Sequence, residues 1–142
     1  MAQVKTNKYS GPTLEYWSAL SLPAQMGNIG SEVSRALLAQ KQHQPDRQEK
    51  AFYRALDLLD LSIKLAVDYD RTHPHSARTR ELCLAREELC DYFAGDNDFQ
   101  TNPQRLQAYY DQFDYLELAR REHQSSKKPS RSSDQEGRQI KN

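Results

Sequence analysis

The chain has 142 residues, 37% of them apolar and 28% charged, with 20 basic side chains balanced by 20 acidic ones. That length suits one domain with tails, and the balance of charge leaves no global field to steer the protein to nucleic acid or to a membrane. No run approaches the roughly 18 apolar residues of a membrane span, and none near Met1 reads as a signal peptide, so a cytoplasmic protein is expected.

The first twelve residues, MAQVKTNKYSGP, are polar and broken by Gly11-Pro12, which reads as a flexible lead. Thr13 can cap a short helical turn, LEYWSAL, whose Tyr16, Trp17 and Leu20 would close one end of a core as a lid. Ser21 then caps the first long helix, with Pro23 in its first turn, where proline is tolerated. Leu22, Met26, Ile29, Gly30, Val33, Ala36 and Leu37 share one arc of it. A glycine inside such an arc costs about 1 kcal/mol against alanine, so a second helix is expected to approach closely at Gly30.

The polar run AQKQHQPDRQ should end that helix, with Pro45 as the break and Asp46 as a cap for the next. The central helix runs to about Asp68 and is apolar around most of its circumference. Phe52, Ala55, Leu56, Leu59, Ile63, Ala66 and Val67 form one arc, and Leu58, Leu61 and Leu65 form a second stripe. A helix with two apolar sides is packed on both. The second stripe therefore meets either a third helix of the same domain or a partner protein, and Leu58, Leu61 and Leu65 are the candidate interface.

A third helix is expected from Ala77 to Ala94, stopped by Gly95, and a fourth from Pro103 to about Gln124, capped by Asn102 or Thr101. Arg86 falls inside the apolar arc of the third helix and Glu117 inside that of the fourth. A buried charge without a partner is very costly. An Arg86–Glu117 ion pair is the leading expectation, with Glu32 as the second partner; the alternative is that Arg86 snorkels to solvent. The whole reads as an all-α domain over residues 13–124, an up-down-up-down four-helix bundle with connections of about 7 to 10 residues. It lies between the lead, residues 1–12, and a disordered polar and basic tail, residues 125–142. That tail carries Lys127, Lys128, Arg131, Arg138 and Lys141 against Asp134 and Glu136.

Catalytic signatures are sparse. His73 and His75 flank a proline in a loop, and His43 and His123 lie elsewhere, so no helical metal-ligand spacing arises and no metal or cofactor is expected. Cys83 and Cys90, on one helix, would sit about 10 Å apart along its axis, too far for a disulfide. They read as inert buried thiols of a reducing compartment. The GDND stretch lacks the spacing of a calcium loop and suits a helix C-cap followed by a turn.

The runs MGNIGSEVSRALL, AFYRALDLLDLSI, RELCLAREELCDYFAGDNDF and YYDQFDYLELARR, spanning about Tyr16 to Arg121, resemble small uncharacterised bacterial helical proteins often encoded beside nucleotidyltransferase-like proteins. The arrangement is similar to the HEPN superfamily. That resemblance implies a dimerising helical bundle, in many members a metal-independent RNase or toxin partnered with a minimal nucleotidyltransferase. Its active motif is an arginine followed, after four to six residues, by histidine or tyrosine. Arg71 is too close to His73 and His75, and Arg120 and Arg121 are too close to His123. Arg105 and Tyr110 fit the variant form. The leading expectation is a non-enzymatic protein-interaction module, homodimeric and paired with a nucleotidyltransferase-like protein as in a toxin–antitoxin system. A HEPN-type RNase is the alternative, and an RNA binder using the basic tail with Arg120 and Arg121 is a third.

Overall fold

A computed structural model describes residues 11–127 and is all-helical, with no strand among them. Its elements are α1 (Leu14–Ser18), α2 (Leu22–Lys41), α3 (Pro45–Thr72), α4 (Arg78–Ala94) and α5 (Pro103–Ser126). No helix among the described residues is long and apolar enough to cross a membrane.

Local chemistry sets most of these boundaries. The Thr13 and Ser21 side chains accept from the Tyr16 and Ala24 amides, each at 3.1 Å, and the Asn102 carbonyl accepts from the Arg105 amide at 2.7 Å. Each thereby satisfies one of the amides left unpaired in a first helical turn. Two expectations fail at the entry to α3. Pro45 is the first residue of the helix rather than a break before it, and no side chain caps it, so Asp46 lies inside the first turn. The connection from α2 is three residues long because His43 adopts a left-handed φ of 54°. There the His43 amide donates to the Gln40 carbonyl at 3.2 Å and the Gln44 amide to the Ala39 carbonyl at 2.8 Å, a Schellman closure with histidine where glycine is usual.

Paired residues fix the helix directions. Between α2 and α3, Gln25 meets Ser62 and Glu32 meets Arg54. Between α3 and α4, Phe52 lies against Phe93, and Asp60 pairs with Arg86. Between α2 and α5, Ser21 meets Glu117 and Ser34 meets Gln107. In every pair the numbers rise on one helix as they fall on the other, so sequential neighbours run antiparallel. The α2–α3 pair is central, with α5 beside α2, and α4 and α1 beside α3.

One core cluster joins all five helices. It includes Met26, Ile29 and Val33 of α2, Leu58 and Leu59 of α3, Leu82 and Leu89 of α4, and Leu106, Tyr110 and Phe113 of α5. Trp17 of α1 closes it and is 2% exposed, while Tyr16, expected beside it, points to solvent. Leu116 of α5 is exposed. Cys83 is exposed rather than buried. Helix α5 reaches Ser126, two residues into the segment read as tail; residues 128–142 of that segment, and the lead before Gly11, lie outside the described residues.

The close approach expected at Gly30 is present, and its partner is Tyr110. A Cβ built on Gly30 would sit 2.7 Å from the Tyr110 Cβ. One turn earlier a Cβ on Gly27 would meet only the Asp114 Oδ1, the free end of an exposed side chain, also at 2.7 Å. The two glycines therefore respond oppositely to the same change. Gly30→Ala should cost about 1–3 kcal/mol, since neither backbone nor Cβ can yield without moving α5. Gly27→Ala should gain up to about 1 kcal/mol of helix propensity as Asp114 swings aside. Urea denaturation of the two variants checks both signs.

Candidate functional site

The amino end of α2, the carboxyl-terminal half of α3, the start of α4 and the outer part of α5 meet at one end of the molecule. They enclose a cleft of about 370 Å³ lined by Ser21, Gln25, Ser62, Tyr69, Arg78 and Arg120, among others. Its floor is a satisfied polar network. The Trp17 indole donates to Ser62 Oγ at 2.8 Å, and Ser62 donates to Gln25 Oε1 at 2.8 Å. The Gln25 amide nitrogen then donates back to the carbonyls of Trp17 and Leu20 at 3.2 and 3.1 Å. Every donor in this chain has an acceptor, so the network can be buried without penalty, and it ties α1 to α2 and α3.

The wall is built around Glu117. Its carboxylate accepts from Ser21 Oγ at 2.5 Å, from Arg120 through two nitrogens at 3.0 Å each, and from Arg121 Nε at 3.0 Å. Arg120, then Ser21 and Arg121, hold its pKa at about 2, below the ordinary 4.5. Ser21 accepts from the Ala24 amide with the same hydroxyl that it donates to Glu117, placing a negative charge at the positive end of the α2 dipole. On the other side, the Arg78 guanidinium lies 3.5 Å from the centre of the Tyr69 ring, and Tyr69 stacks on His73 at 3.8 Å. A serine hydrogen-bonded to a carboxylate has the outline of a nucleophile and its base. Arg120, Ser21 and Arg121 lower the proton affinity of that carboxylate, which weakens it as a general base.

The expected Arg86–Glu117 pair does not form. Arg86 donates to Asp60 of α3 at 2.8 and 3.4 Å, with its side chain 37% exposed, and Asp60 raises its pKa. The reason is layout: α4 lies beside α3, so Arg86 meets the outer carboxylate of α3 first, while Glu117 is saturated by arginines three and four residues along its own helix. The second candidate, Glu32, is 8% exposed and binds Arg35 at 2.7 Å and Arg54 at 3.0 Å.

Of the candidate interface stripe, Leu58 is buried in the core, and Leu61 and Leu65 pack half-buried against it. The protein's own helices thus cover much of it. Tyr110 is 1% exposed, whereas Arg105 is exposed in the first turn of α5. Five helical positions separate them by about 140° of rotation, which puts one against Gly30 and the other in water. A surface-bound substrate would not meet the Tyr110 hydroxyl. Burial pushes that hydroxyl's pKa up, and it has no hydrogen-bond partner. Among the described residues no three His, Cys, Asp or Glu side chains gather in a metal-binding group.

Two features of this end escaped the sequence reading. Asp70 caps α4 from outside, accepting from the Thr79 amide at 2.9 Å, where Ala77 at the cap position cannot. The Tyr69–His73 stack has only an i, i+4 spacing as its signal.

No family model, curated protein or solved structure matches the chain. Its function is therefore read from its own residues.

Ser21→Ala should lower stability by about 1–2 kcal/mol through loss of the cap and of the Glu117 contact. Because the folded-state pKa of Glu117 is depressed, its contribution is full above the ordinary 4.5 and is lost as pH falls toward about 2. Thermal melts of wild type and Glu117→Gln should therefore differ at neutral pH and converge over that window.

Proposed function

We propose that this protein is a non-enzymatic interaction module that homodimerises through the outer half of α5. The supporting reading takes α2–α5 as an up-down-up-down four-helix bundle lidded by α1. The observation that carries it is the reach of α5. Its last buried residue is Phe113, yet the helix continues to Ser126 with Tyr115 76%, Leu116 52% and Leu118 57% exposed. Beyond Glu117, which still holds Ser21, the helix runs on for about 14 Å with no buried apolar side chain; such an extension gains little stability in isolation, and apolar side chains on it favour a protein partner. Tyr115 and Leu118, three apart, share a face.

The resemblance to HEPN-like proteins encoded beside nucleotidyltransferase-like proteins suggests such a protein as a second partner, as in a toxin–antitoxin module. The burial of Tyr110 argues against an RNase centre built on Arg105 and Tyr110.

Size-exclusion chromatography with light scattering should give twice the 16.5 kDa chain mass. The double variant Tyr115→Asp, Leu118→Asp should run as a monomer with unchanged melting, because neither side chain supports the core. A monomeric wild type at micromolar concentration would overturn the reading. Incubation with total RNA should leave it intact; cleavage abolished by Arg105→Ala would favour the RNase instead.

A further inference from the structure

At the opposite end of the molecule, the tight α2–α3 turn frames a second cleft of about 330 Å³. Two facing alanines, Ala39 of α2 and Ala51 of α3, are 4% and 1% exposed and leave a hollow where larger side chains would have met. Leu38 supplies an aliphatic wall, and the charged residues around the hollow are Arg35, Arg47, Lys50 and Arg54, with no acid among the lining residues. Glu32 binds Arg35 and Arg54, but no carboxylate among the described residues pairs with Arg47 or Lys50. Arg47 donates only a long 3.4 Å bond to Gln44, and both Arg47 and Lys50 are exposed. The same turn carries the amino end of α3, which has no side-chain cap; its free first amides add donors, while Asp46 in the first turn offsets part of the dipole.

We propose that this cleft binds a small phosphate ester with a short aliphatic body. The cations and the helix end would hold the phosphate, since guanidinium groups match its oxygens and helix amides add donors. The hollow over Ala39 and Ala51 would take the carbon chain. No aromatic ring lines the cleft, so it offers no stacking surface for a nucleobase. Its volume lies at the small end of ligand sites, which suits a compact metabolite. The site is independent of the dimer surface on α5, because it lies at the far end of α2.

Isothermal titration of the full chain with n-butyl phosphate tests the assignment. Saturable one-to-one binding is expected, with inorganic phosphate about tenfold weaker because it leaves the apolar hollow unfilled. The double variant Arg47→Glu, Lys50→Glu should weaken n-butyl phosphate binding by more than about tenfold without changing thermal melting, since both side chains are exposed and hold no structural ion pair. Absence of saturable binding, or equal affinity in the double variant, would overturn the site. Equal affinity for inorganic phosphate would overturn the aliphatic subsite. Binding of a 5′-phosphorylated oligoribonucleotide without binding of n-butyl phosphate would overturn the small-molecule class.

Discussion

The α2–α5 crossing is the constraint from which the rest of the architecture follows. With only a hydrogen at Gly30, the Tyr110 Cβ comes within a distance that no side chain on α2 would permit. That approach puts the whole Tyr110 ring inside the core, edge-on to Tyr109 at 5.0 Å. It also leaves the Tyr110 hydroxyl buried without a partner, a cost of about 1–3 kcal/mol. The fold accepts this cost because a smaller ring or a wider crossing would open a void between the two helices, where dispersion contacts would be lost. The same crossing brings Ser21 to Glu117 and Ser34 to Gln107, so hydrogen bonds at both ends of the α2–α5 interface depend on contact at its middle.

A chain with 37% apolar residues must complete its interior with polar groups, and it does so at defined places. Gln25 and Ser62 replace two apolar contacts with a network anchored by Trp17, and Glu32 lies buried beneath Arg35 and Arg54. Such groups add specificity more than stability: each is harmless only in the one register where all its partners align. This explains how a five-residue helix as short as α1 holds its place. Trp17 contributes apolar area, but its indole N–H and its backbone carbonyl both enter the network, so α1 docks in a single orientation.

Much of this was legible in the sequence wherever the signal was local. Ser21, Thr13 and Asn102 announce helix starts because a cap needs only its own next three residues. Gly30 announced a close approach because its cost demands a compensating contact, although nothing in the spacing named Tyr110. What failed depended on which helices are neighbours. Arg86 and Glu117 each sit within an apolar arc, and pairing them assumed that α4 and α5 bring those faces together. In the folded chain Asp60 intervenes for one, and Arg120 and Arg121 satisfy the other. Leu58, Leu61 and Leu65 looked surplus because periodicity cannot count how many helices surround α3. The α2–α3 cleft was invisible for a similar reason: Arg35, Leu38, Arg47, Lys50 and Arg54 are spread over two helices, and Ala39 and Ala51 are informative only once they face each other.

The two ends of the central helix pair solve the same electrostatic problem differently. At the start of α2, the positive end of the dipole is answered from within: Ser21 caps the amides and Glu117, held charged by two arginines, supplies the anion. That end is electrostatically closed, and an incoming anion would have to displace a carboxylate already bound by three side chains. At the start of α3 the answer is weaker: Asp46 lies in the first turn, but no side chain caps the amides and proline removes one donor. Four cations line the hollow beside it, and among the described residues Arg47 and Lys50 hold no carboxylate. Like charges gathered around an apolar floor repel one another, and the repulsion is relieved by an anion from outside. The second end is thus the one with binding energy still to be used, which is why the ligand site is assigned there and the structural role to the first.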